Sequence, residues 1–144
     1  AAKDVVIILL IVAGAGALKQ VLTESGVNET IAAALSGLQM EPLVLGWLIA
    51  AIIRVCIGSA TVAGLTAGSL VVPMLATGNI DPNLMVLSIG AGSLMFSHVN
   101  DPGFWMFKEY FNVSIRDTIR SWSLMETIVA VAGLIGVLLL KMFV

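Results

Sequence analysis

The stretch Ser97-His98-Val99-Asn100-Asp101-Pro102-Gly103-Phe104-Trp105 sets a hydroxyl, an imidazole, a carboxamide and a carboxylate within five positions, between the apolar runs Leu84 to Phe96 and Phe104 to Phe107. Such a set can hydrogen-bond a polar ligand and exchange protons. Pro102 steers Asp101 away from the helical region and Gly103 relaxes the backbone further. A helix entering at Leu84 is therefore expected to unwind near Asn100 and to restart near Phe104. The flanks are long and uncharged enough to put this polar patch inside a bilayer, where non-helical backbone survives only against protein or a water-filled cavity.

Two further polar groups stand in apolar surroundings. Arg54 precedes the small-residue turn Gly58-Ser59-Ala60-Thr61. An arginine or aspartate at depth costs about 2.5–3.5 kcal/mol on insertion scales, so each is expected to have a partner or a task. For Arg54 there are two readings: an ion pair with Asp101, or a donor fork for the carboxylate of an anionic solute. Ser59 and Thr61 supply hydroxyls, and the small residues leave backbone groups free to face a ligand. Ordinary hydrogen bonding between helices would use the same hydroxyls.

His98, the only histidine, is a candidate proton carrier or a structural hydrogen bonder. Asp101 is the stronger proton candidate, because carboxylates at depth serve as proton relays. No metal and no cofactor are expected from one histidine, one cysteine and scattered carboxylates. No nucleophile elbow or ordered triad surrounds Ser59 or Ser93, so the chain is not expected to be an enzyme.

The elements that must position these groups follow from composition. The chain has 144 residues, a mean hydropathy of +1.07, 59% hydrophobic residues and 11% charged ones, against roughly 25% charged in soluble domains. This defines an all-α integral membrane protein with the bilayer as its partner. A net charge of -2 offers no basic patch for nucleic acid. Cys56 alone excludes an internal disulfide. The opening Ala1-Ala2-Lys3-Asp4 shows neither an initiator Met nor signal-peptide character, so the sequence is expected to be cut from something longer.

In order, residues 1–19 are expected to form a transmembrane helix that packs closely through Gly14-Ala15-Gly16-Ala17. Residues 20–41 read as an amphipathic interfacial segment. From Leu43 to Ile80 a single charge, Arg54, appears in 38 residues, too few for two full spans of ~20 residues plus a turn. A re-entrant hairpin over 42–77 with its tip at 58–61 fits better; a span followed by a second is the alternative. Gly78 to Asn83 is a turn by composition. A broken helix over 83–107, with its break at 97–103, leads to a cytoplasmic surface segment at 108–121 and a transmembrane helix at 122–143. Trp122 is expected at headgroup level, with Glu126 near the entry of that span. Lys3, Lys108, Arg116 and Arg120 fall on one side against Lys19 and Lys141 on the other, which makes the first side cytoplasmic.

Gly14 to Leu22, Gly58-Ser59-Ala60-Thr61-Val62-Ala63, Ser88-Ile89-Gly90-Ala91-Gly92-Ser93, Ser97 to Asp101 with Gly103-Phe104-Trp105, Lys108-Glu109-Tyr110-Phe111 and Trp122 through Glu126-Thr127 together resemble the gluconate permease (gluconate:proton symporter) family, roughly its C-terminal third. Pro102 stands where a small residue is usual. The resemblance implies the C-terminal repeat of an inverted-repeat, ion-coupled transporter in the bacterial inner membrane, multi-pass, whose N-terminal repeat is missing here. It further implies a gluconate-like sugar acid and protons as partners, with D-serine or another small hydroxy acid as the rival substrate and a homo-oligomer as a further possibility. Solute binding would map onto Ser59, Ala60, Thr61, Ser97, Asn100 and Asp101, beside Arg54. A non-transporting membrane fragment or interaction module is the alternative of another class.

Overall fold

The computed structural model describes residues 40–75 and 80–143, with isolated positions between 6 and 30. The expected helix at 1–19, the interfacial segment at 20–41 up to Met40 and the Gly78-Asn79 part of the turn therefore lie outside the described residues, those isolated positions apart.

Every regular element among the described residues is helical. Helix α1 spans Pro42–Ile57. Pro42 sits at its first turn, where a missing N–H loses nothing, and the Glu41 carboxylate accepts from Val44 N at 2.9 Å. It stops at Gly58, whose φ of 74° is left-handed and whose N–H returns to the Arg54 carbonyl. Ser59 then leads directly into α2, Ala60–Leu75, so the two arms form a hairpin joined by only Gly58 and Ser59.

Helix α3, Pro82–Gly92, starts by the same device, with Asp81 capping Asn83 N and Leu84 N behind Pro82. It lies against α1 so closely that a Cβ on Gly92 would sit 2.3 Å from the Trp47 carbonyl oxygen. The buried Ser88 hydroxyl donates to Leu43 O at 2.6 Å across the same contact. Around it pack Leu43, Ile49, Ile53, Ile57, Met85 and Ile89, with Val71 from α2.

The chain is non-helical from Ser93 to Asp101. The first helix thus ends at Gly92, earlier than the Phe96 expected, and the next begins at Pro102, before the Phe104 expected. Proline is pre-organised for a first helical position, and the Asp101 side chain caps Gly103 N at 2.8 Å. Helix α4 runs Pro102–Phe111 and ends at Asn112, again left-handed with φ 49°.

Ser114 opens the last helix by capping Asp117 N. Its parts are α5 (Ile115–Thr118), a π turn (Ile119–Ser123) and α6 (Leu124–Leu140), continuous over 26 residues and apolar enough to cross a membrane. The expected surface segment at 108–121 is accordingly helical over most of its length. The Ser114-x-x-Asp117 start signal lies inside it and fixes the helix seven residues ahead of Trp122. Trp47 Nε1 donates to Ala130 O at 3.0 Å and ties α6 to α1.

Candidate functional site

Where α1 ends, its last carbonyls lack helical partners. The side chains of the 93–101 break supply them. Asn100 Nδ2 donates to Val55 O at 2.9 Å and to Cys56 O at 3.2 Å. His98 Nε2 lies 2.9 Å from the same Val55 carbonyl, and since a carbonyl only accepts, that nitrogen carries the hydrogen. Gly58 completes the seam, because a Cβ there would fall 2.3 Å from the Asn100 carbonyl oxygen. The hairpin turn and the break are one interlocked structure.

One turn back on α1, Arg54 points into this seam and is only 3% exposed. Its Nη2 is 2.5 Å from Asp101 Oδ2 and 3.7 Å from Glu126 Oε2 on α6. The fully buried Ser97 hydroxyl also donates to Asp101 Oδ2, and itself accepts from Trp122 Nε1 at 2.8 Å. Asp101 thus binds Arg54, Ser97 and Gly103 N at once. Trp105 Nε1 braces the break from the other side through Val99 O at 2.7 Å. Among the described residues, the buried polar atoms without a hydrogen-bond partner are Arg54 Nε, Arg54 Nη1, Asn100 Oδ1 and Ser123 Oγ.

The structure therefore brings Arg54, Ser97, His98, Asn100 and Asp101 together. Of the two readings of Arg54, the ion pair with Asp101 is present, yet two of its donor nitrogens are left over. Ser59 and Ala60 are half-buried and Thr61 is exposed on the second arm. Among the described residues none of these three touches the break through a side-chain hydrogen bond; Ser59 Oγ faces Val62 N at 3.4 Å instead.

Sequence reasoning missed two members of the cluster. Trp122, expected at headgroup level by its residue type, belongs to the cluster through its indole, which bonds Ser97. Glu126 was set at the entry of a span, whereas the insertion cost that singled out Arg54 applies equally to a carboxylate in an apolar helix and would have found it. Among the described residues no group of His, Cys, Asp and Glu is placed to hold a metal ion.

Apolar helices closed around a buried arginine shared by two carboxylates, one helix being long enough to cross a bilayer, define a helical protein that keeps its polar chemistry inside. The chain belongs to the GntP family permeases, whose family model matches residues 1–143. Permeases are membrane transporters and not enzymes. The chain is 53% identical to a high-affinity gluconate transporter of Escherichia coli (strain K12), over 99% of this chain and 32% of that protein. It is 54% identical to a gluconate permease of Bacillus licheniformis, over 94% of this chain and 30% of the relative. It is also 48% identical to the Gnt-II system L-idonate transporter of E. coli K12, over 93% and 30%. The chain thus spans about a third of the length of these curated relatives. No solved structure matches it.

Proposed function

We propose that this chain is the C-terminal repeat of an inverted-repeat, proton-coupled symporter for gluconate or a related sugar acid, multi-pass in the bacterial inner membrane. In this reading Pro42–Leu75 is a re-entrant hairpin and Pro82–Phe111 a broken transmembrane helix, and the solute binds where they meet. Arg54 and the break residues Ser97, Asn100 and Asp101 face the carboxylate and polyol from one side. Ser59, Ala60 and Thr61 approach from the other arm of the hairpin once the seam opens. Asp101 and His98 are the first candidates to move the proton. The observation that carries the reading is the seam itself: Gly58 against Asn100, with Arg54 bonded to Asp101 and two of its donor nitrogens spare. The names of the relatives supply the solute class, L-idonate standing beside gluconate as a second sugar acid.

The test is uptake of labelled gluconate by the intact permease that carries this sequence. Uptake should collapse with a protonophore and with Asp101→Asn. Uptake abolished by Asp101→Asn but indifferent to a protonophore removes proton coupling from the account. A second reading, that these 144 residues alone do not transport, is favoured by their covering only a third of each relative. Reconstitution of the chain alone, without measurable uptake, is the result it predicts.

A further inference from the structure

Arg54 is one cation facing two carboxylates. With all three ionised the cluster carries a net negative charge inside an apolar bundle, which one proton removes. The two acids are not equivalent. Asp101 has both oxygens committed, Oδ2 to Arg54 and Ser97 and Oδ1 to Gly103 N. Among the described residues Glu126 has only the 3.7 Å approach of Arg54. The charged groups acting on Glu126 are Arg54 from α1 and Asp101 from the break.

We propose that Glu126, in place of Asp101 or His98, holds the coupled proton of the transport cycle, and that its protonation leaves Arg54 free to receive the carboxylate of the solute. The proposal rests on the reading above that transport is proton-coupled. With Glu126 protonated, Arg54 answers Asp101 alone, and its buried, unpartnered Nε and Nη1 are left for the anion. Release of the proton leaves a carboxylate anion on α6, 3.7 Å from Arg54 Nη2. A guanidinium can bind a carboxylate through two N–H groups at once, so the ionised Glu126 competes with the solute for Arg54, and its charge repels the anion. Arg54 stays charged throughout; the only atom exchanged with water is the proton of the Glu126 carboxyl. Proton and solute therefore bind together and leave together.

The experiment uses the intact permease in proteoliposomes, with labelled gluconate and a pH gradient of one unit. One coupled proton then drives roughly tenfold accumulation. Glu126→Gln should lose that accumulation and settle at equal concentrations, while gluconate counterflow, which moves no net proton, persists. Glu126→Asp should regain part of the accumulation. Accumulation by Glu126→Gln at the wild-type level overturns the assignment. So does loss of counterflow together with accumulation in both variants, which marks Glu126 as structural. A wild-type permease that does not respond to the pH gradient removes proton coupling itself, and this proposal with it.

Discussion

Gly58 lies directly against the backbone carbonyl of Asn100, two residues separated by 42 positions and belonging to two of the interruptions of helix among the described residues. Gly58 is left-handed, and no side chain fits between it and Asn100. Both requirements select the same residue, so the hairpin turn exists in this form because the break is there to receive it.

Gly58→Ala is accordingly the most damaging small substitution in the turn. The left-handed conformation costs an L-residue about 1–2 kcal/mol, and forcing a methyl into the seam adds about 1–3 kcal/mol. The purified permease should melt at a clearly lower temperature and take up little gluconate. Alanine at Gly68, where a Cβ meets nothing within 4 Å, should change neither in this chain's own packing.

The Arg54–Asp101 pair should behave as a buried pair. Removing either partner alone leaves the other charge enclosed, which costs about 3–5 kcal/mol. Arg54→Met and Asp101→Leu together should restore much of the melting temperature lost by either alone, without restoring transport. A thermal melt of the four proteins in detergent reads the coupling; losses that simply add would show that the two groups do not act as a pair.

Ser97 and Trp122 should respond unequally. Ser97→Ala strips Asp101 of a donor and leaves the half-buried Trp122 N–H without its acceptor, a penalty of up to about 1–3 kcal/mol. Trp122→Phe removes the donor but keeps a ring against Phe107, 5.2 Å away between centroids, and leaves the Ser97–Asp101 bond in place. Ser97→Ala should therefore lower thermal stability more than Trp122→Phe; the reverse order would show that Trp122 contributes mainly by packing.

Much of this arrangement is legible in the sequence, for reasons that differ by residue. Pro102 after Asp101 and glycine at 58 mark interruptions because they act on the local backbone, and local effects can be read from one chain. Arg54 and Asp101 draw attention as charges in apolar runs. The ends of the break are less legible: the Ser93–Phe96 turns carry no proline or glycine, and Pro102, a breaker by type, serves as a first helical residue. Residue type and position along the helix say only that Glu126 and Trp122 stand near the start of an apolar run. What joins them to the cluster is the packing of α6 on α1 and α3, which brings residue 126 to residue 54 and has no local signature.

The most direct test of the central claim is a structure of the intact permease with gluconate bound. Solute density between the 58–61 turn and the 97–101 break, its carboxylate within hydrogen-bond distance of Arg54, is the predicted result. Gluconate held elsewhere in the protein, with the turn and the break still closed on one another, would contradict the account.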